Sequence, residues 1–430
     1  MTKTTRYGLI IAGLCTFFVV APALVLYVQG KALNFKNRNT ELTGIISVKT
    51  NPASANVTVK NEVSVKTPSA IRFLKTGDYD VIVSKTGYKT WHKTLNVIAG
   101  KVTYANPNPY PLQLLKDTQA VKLVSDVSAY ASLGDKMLYA TENMLVLLQP
   151  TDGSSITTKT PSIVSSLITD KHSNNVLLIG AQFTGILNTD NMQLLDFSKN
   201  TQGNSSTSLA SGWIWSLSPS GILTGIQLSK PDKTFSFAND INSFLVQDGD
   251  VYYLSKNPDS TQALHHATIS GAKLAQDQIL ATKIPRTEKS TILLDSSKAV
   301  YILLDSSLWR VNSHLELLAE KIKQATTSSG TLVYTKPGEL WWYESSTNKS
   351  HLVTRATEDF SSFYVDPSLD YTFFTGNGKL IALELDDRSG QNRYELLSNP
   401  EPINNISVKN STDIFFRLGK DLYSISVFDN

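Results

Sequence analysis

The chain has little to cross-link it and little to charge it. Its one cysteine, Cys15, leaves no partner for an intramolecular disulfide and excludes a Cys-cluster zinc or iron–sulfur site. Charged residues make up 18% of the 430, below the roughly 25% of an average soluble domain. The formal net charge of +3 excludes a nucleic-acid binder that wraps phosphate with a strongly basic surface, and it excludes an acidic disordered tail. Recognisable catalytic signatures are missing too. There is no G-x-S-x-G elbow, no H-E-x-x-H and no EF-hand loop. Gly376-Asn377-Gly378 runs on into Lys379-Leu380-Ile381, so it is not a phosphate loop. The six histidines are scattered, and only His265 and His266 adjoin. Adjacent side chains on a strand point to opposite faces and cannot easily share a metal. The sequence therefore names no catalytic residue, no metal and no cofactor, and favours a binding or scaffold protein, with a glycan- or peptide-processing enzyme and an assembly factor as the alternatives.

What is present is apolar, hydroxyl-rich and periodic. Hydrophobic residues are 41% of the chain, enough for a sizeable core, and the length suggests two or three domains. Ser, Thr and Asn supply much of the polar surface, as suits many short strands and turns. The longest uncharged apolar run is Gly8 to Gln29. As a helix, its 22 residues reach about 33 Å, enough for a bilayer core. Residues 8–29 are expected to be an uncleaved transmembrane signal anchor, with 1–7 a cytoplasmic tail and the bulk of the chain extracytoplasmic. Ala21-Pro22-Ala23 has the form of a cleavage site, but Leu24 to Val28 continue the apolar run past it. Leu14 before Cys15 argues against lipidation. Residues 30–43 read as a polar linker.

From residue 44 the pattern turns to period two. Ile46 and Val48, Val57 and Val59, and Tyr79, Val81 and Val83 alternate with more polar neighbours, as half-buried strands require. Gly77 and Gly87 bracket the last of these strands at turns. Landmarks follow in order: Asn51-Pro52-Ala53-Ser54-Ala55, Thr67-Pro68, Gly77-Asp78-Tyr79, and Gly87-Tyr88-Lys89-Thr90-Trp91. With these, residues 44–115 resemble the PEGA domain, a small all-β module of bacterial envelope proteins. Ala53-Ser54 stands where that family has Glu-Gly, and Lys60-Asn61-Glu62 replaces its usual hairpin turn. The resemblance implies a β-sandwich that acts as spacer or adhesion module. It makes Pro52, Ala55, Pro68, Gly77, Tyr79, Gly87, Tyr88 and Trp91 motif residues of mainly structural role, with sugar stacking the rival role for Trp91. Asn106 to Pro111 then form a stiff Pro-rich joint.

Residues 117–430 repeat in shape. A turn followed by an apolar strand recurs eight times, at 134–139, 173–178, 219–223, 248–253, 296–301, 329–334, 367–373 and 411–416. A second apolar strand often follows. The mean spacing is near 39 residues, the period of a β-propeller built from four-stranded blades. Seven or eight blades fit. Three strands in the last unit, with Gln119 to Val124 as a fourth that closes the ring, favour eight. Ser218-Pro219-Ser220-Gly221 and Asp366-Pro367-Ser368 are similar to the turns of TolB-like and WD40-like propellers, which implies fold and not activity.

The expected fold class is thus all-β: a transmembrane helix, a small sandwich and a propeller. The acid pairs Asp248/Asp250 and Asp386/Asp387 suit turns. Trp213, Trp215, Trp341 and Trp342 suit packing between blades. Residues 1–116 carry 15 Lys/Arg against 4 Asp/Glu, and 117–430 carry 25 against 33. The expected partners follow: the membrane through 8–29, anionic lipid or wall polymer at the basic region 40–115, and an envelope protein or glycan at the propeller. No nucleic acid is expected.

Overall fold

The computed structural model describes the backbone of residues 3–28, 31–34, 39–59, 63–107, 110–134, 136–149, 153–170, 173–201, 203–312, 314–357, 359–367, 369–409 and 412–429. The Lys60-Asn61-Glu62 turn, His172 and part of the Pro-rich joint lie outside these residues. The chain divides into two compact units, one of residues 1–118, 383–394 and 426–430, the other of 119–382 and 395–425.

The first unit opens with helix α1 (Lys3–Val28). Of its side chains, those of residues 8, 11–21 and 25 are described, and along 11–20 they are exposed. Among the described residues no helix is long and apolar enough to cross a membrane. The Thr16 hydroxyl donates to the Ala12 carbonyl at 2.8 Å, so this polar group is satisfied within the helix. The stretch read as a linker is not featureless. Strands β1 (Lys31–Asn34) and β2 (Asn39–Leu42) form an antiparallel hairpin with Lys31 opposite Leu42. Backbone pairing of this kind needs no apolar alternation, which is why hydrophobic periodicity did not predict it.

The sandwich follows. Strands β3 (Gly44–Val48), β4 (Thr50–Asn51), β5 (Asn56–Val59), β6 (Val63–Lys66), β7 (Ser69–Leu74), β8 (Gly77–Ser84), β9 (Trp91–Val97), β10 (Val102–Tyr104) and β11 (Leu112–Gln113) make three sheets. These are β10-β3-β7, β6-β5-β8-β9 and the short pair β11-β4. Period two does what it must: Tyr79, Val81 and Val83 of β8 point inward, as do Trp91, Leu95 and Val97 of β9. They meet Ile46, Val48 and Ile71 from the facing sheet in one core. β9 breaks the rule once, because Lys93 also points inward and is buried.

The second unit is a succession of four-stranded antiparallel sheets. Among the described residues there are eight: 129–159, 164–196, 206–238, 241–285, 290–319, 324–355, 362–398, and 403–426 completed by Val121–Val124. The last takes its fourth strand from the other end of the unit, Val121 opposite Ser424. First strands touch in order, from 129–133 through 164–169, 206–210 and 241–247 to 290–294 and 324–328, and 403–409 contacts 129–133. The Val365 amide donates to the Ser328 hydroxyl at 3.1 Å, and 362–364 touches 403–409. The turn-plus-strand elements seen in the sequence are the second strand of their sheet in seven cases. The exception is 219–223, which leads into the third strand; the second there is Trp213–Leu217. The sheets 206–238 and 290–319, short in sequence, are each complete.

Candidate functional site

The motif residues of the sandwich separate into two groups. Pro52 and Pro68 follow cis peptide bonds in turns. Ala55 is buried, and its amide donates to the Thr67 hydroxyl at 3.0 Å. Gly77 (φ 143°) starts β8, and Gly87 (φ 84°) takes a left-handed turn conformation that a side chain would disfavour. Tyr79 packs in the core. Tyr88 and Trp91, by contrast, reach polar partners from distant parts of the chain within the same unit.

Trp91 lies in the core with its ring covered, so it offers no face to a sugar. Its Nε1 donates to Glu384 Oε1 at 2.8 Å. Glu384 Oε2 accepts from the Asn392 side-chain amide at 2.7 Å and pairs with Lys93 Nζ at 3.0 Å. Lys93 Nζ also pairs with Asp386 Oδ2 at 3.0 Å and donates to the Asp386 carbonyl at 2.6 Å. Arg388 holds the same carboxylate through Nε and Nη2 and donates to the carbonyls of Tyr104 and Ala105. Two cations thus face two carboxylates, all linked by hydrogen bonds, with Lys93, Glu384 and Asp386 nearly sealed from solvent. Burial alone would push the Asp386 carboxyl up. The hydrogen bonds from Arg388 and Lys93 outweigh it and hold that carboxyl below the usual range. Such a neutral, mutually satisfied cluster is a clamp rather than a reactive centre. Tyr88 makes a second clamp. Its hydroxyl donates to Asp429 at 2.5 Å, a bond that, with burial, pushes the phenol up to about 12. Lys116 pairs with the same Asp429 at 2.9 Å.

In the second unit, three of the histidines share one arrangement. His265 lies opposite Tyr253, His266 opposite Tyr252, and His351 opposite Trp342 on neighbouring strands. Each ring stacks on its partner, with centroids 4.6, 4.7 and 4.4 Å apart. Each imidazole also meets a carboxylate: Asp277 at 3.1 Å, Asp250 at 3.1 Å and Glu344 at 3.2 Å. His265 and His266 indeed face opposite sides. His265 has a further partner, since its Nε2 lies 2.9 Å from the Ser255 hydroxyl. Ser255, His265 and Asp277 therefore form a serine–imidazole–carboxylate chain, and the Tyr253 hydroxyl donates to the far oxygen of Asp277 at 2.6 Å. Of the acid pairs, Asp248 takes a left-handed turn conformation. Asp250 would be raised by burial but is held low by Lys298 and His266. Trp213 and Trp215 are buried against Phe235 and Phe237.

One polar cavity of about 420 Å³ lies between the sheets 129–159 and 164–196. Ser132, Lys136, Thr169, Asp170, Asn174 and Asp190 line it. Asn174 donates to both oxygens of Asp190 at 3.0 and 2.9 Å. Ser132, Lys136 and Thr169 sit at strand ends and Asp170, Asn174 and Asp190 in the turns beside them, where hydrophobic periodicity gives no signal. Among the described residues no three His, Cys, Asp or Glu side chains gather to hold a metal ion.

Residues 43–108 match the PEGA domain. No curated protein sequence matches the chain. Among solved structures, 1156 chains match, a breadth that speaks for a common fold rather than for one activity. BamB from Moraxella catarrhalis is 11% identical, with a TM-score of 0.51 over 73% of this chain and 100% of its own. The computationally designed protein Ika8 is 11% identical, with a TM-score of 0.51 over 71% of this chain and 97% of its own. The structural neighbours are β-propellers, so the chain is a PEGA domain followed by a β-propeller.

Proposed function

We propose that this protein is a membrane-anchored, extracytoplasmic scaffold of the bacterial envelope, and that its propeller binds another envelope protein or a glycan. The observation that carries the reading is the chain order: the uncharged apolar run 8–29, then a PEGA domain, then the propeller. In this reading that run, most of it in α1, is the anchor, with residues 1–7 in the cytoplasm. Its exposed Ile11, Leu14, Phe17, Phe18 and Val19 are the side chains lipid would cover. The eight sheets are eight blades, closed by Val121–Val124. The polar cavity between the first two blades is the binding cleft, since hydroxyls, an amide and carboxylates at strand ends and turns suit a hydroxyl-rich or peptide ligand.

Two experiments test this. Protease added to intact cells without an outer membrane should cleave beyond residue 40, and full protection there would reverse the topology. Substituting Asp170 and Asp190 by Ala should abolish retention of whichever purified envelope glycan or peptide the full chain binds. Unchanged retention would move the cleft elsewhere.

A specific observation supports a second reading, a glycan- or peptide-processing enzyme. Ser255–His265–Asp277 is the order of contacts that activates a serine for acyl transfer. A fluorophosphonate probe that labels the protein at Ser255, and fails to label Ser255→Ala, would establish it. Absence of labelling leaves the array as a packing device.

A further inference from the structure

One end of the PEGA domain gathers apolar side chains in water. Leu42 is 54% exposed, Phe73 42%, Ile98 46% and Val102 43%. Strand geometry puts them together. β10 runs parallel to β3 with Val102 opposite Ile45, and β7 runs antiparallel with Leu74 opposite Gly44. The turn before β10 is tied to the start of β3, because the Gly100 amide donates to the Thr43 carbonyl at 2.9 Å and the Ile45 amide to the Lys101 carbonyl at 3.1 Å. So the start of β3, the start of β10 and the end of β7 share one rim. Phe73 is there by distortion. The register shift between Gly44 and Ile46 leaves both Arg72 and Phe73 opposite Ile45, and Phe73 takes φ 60°. A bulky side chain rarely adopts that conformation, and such bulges re-aim side chains at functional edges.

The same rim is cationic. Arg72, Lys75 and Lys101 are exposed on it. Asp78 at the start of β8 accepts from Asn96 at 2.7 Å, and Arg72 and Lys75, though exposed, each have a partner. The rim is also where the chain arrives from helix α1. Lys31 pairs with Leu42, and α1 ends at Val28, three residues earlier. Three residues span at most about 11 Å.

We propose that this rim seats the PEGA domain on an anionic bilayer, with Leu42, Phe73, Ile98 and Val102 in the headgroup layer and Arg72, Lys75 and Lys101 against lipid phosphates. The proposal rests on the reading of α1 as a membrane anchor. A polyanionic wall polymer would match the cations but leave four apolar side chains in water. A bilayer interface takes both, aromatic ring included.

The test uses the full chain in liposomes of phosphatidylcholine with or without phosphatidylglycerol. An environment-sensitive fluorophore is placed on native Cys15, or on Val102→Cys or Thr86→Cys in a Cys15→Ser background. Thr86 lies just past the opposite end of β8. Brominated lipid should quench the labels at Cys15 and Val102 but not at Thr86. Quenching at Val102 should weaken without phosphatidylglycerol, in high salt, and in Arg72→Glu/Lys75→Glu. Quenching at Cys15 with none at Val102, or with equal quenching at Val102 and Thr86, overturns the seating while the anchor stands. No quenching at Cys15 overturns the anchor and the seating with it. Quenching at Val102 that is relieved by soluble wall polymer would assign the rim to the polymer instead.

Discussion

At the residue scale, the buried lysine decides the most. Lys93 occupies an inward position of β9 between Trp91 and Leu95, and two carboxylates compensate its charge. Removing one member of a buried charge network leaves the others unpaired. Lys93→Met should therefore cost about 3–5 kcal/mol, read as a lowered urea midpoint of the protein. Trp91→Phe loses the donor to Glu384 and part of the buried indole's volume, so it should cost at least about 1–3 kcal/mol by the same measurement. The pH dependence has a definite sign. Asp386 and Asp429 are both held below the usual carboxylate range in the folded chain. They bind protons more tightly once unfolded, so their contribution is complete above the unfolded value near 3.9 and is lost as pH falls below it. Thermal midpoints should drop on the acid side of about pH 4, and less steeply in Asp386→Asn. Sequence reading found Trp91 and Tyr88 by their motif. It could not find Lys93 as a core residue, because a lysine at an inward position is legible only when its partners are known, and the farther of these, Asp386, lies 293 residues on.

At the element scale, alternation was legible wherever one strand face meets a core, as in Tyr79, Val81 and Val83. It misled in the sheet 206–238. There the second strand is Trp213-Ile214-Trp215-Ser216-Leu217, buried on both faces and without period two, so the turn at Gly221 was the stronger signal. The outer edges of the sheets show how exposed backbone is managed. The outer strands 234–238, 273–285, 315–319, 349–355 and 121–124 carry register shifts against their neighbours. Such irregularities discourage pairing with another chain. Ser155–Lys159 and Gln193–Asp196 have none. The first is also exposed, rich in Thr, and carries a solvent-facing Ile156. Ile156→Lys should raise the concentration at which the protein self-associates, seen by light scattering, and should change stability by less than about 0.5 kcal/mol.

At the scale of the whole molecule, the repeat was legible because every sheet uses the same four-strand plan. The closing strand was legible because the last sheet came up one strand short. Deleting residues 119–124 strips the sheet 403–426 of its outer strand and should lower the thermal midpoint of the propeller by several degrees. The extent of the first unit was not legible. Its sandwich takes in 383–394 and 426–430, and neither segment carries any mark of the PEGA motif.

That composition has a consequence for biosynthesis. Trp91, Lys93 and Tyr88 leave the ribosome well before their partners, which follow 293 residues later for Glu384 and Asp386 and 341 later for Asp429. Until then the Lys93 ammonium lacks its two counter-charges, so the sandwich is completed only after the residues between them have been made. A chain that stops before Asp429 lacks that clamp, and one that stops before residue 384 lacks both. Completion of the sandwich therefore depends on the segments that carry residues 384–386 and 429, and products truncated before them should be cleaved more readily by added protease.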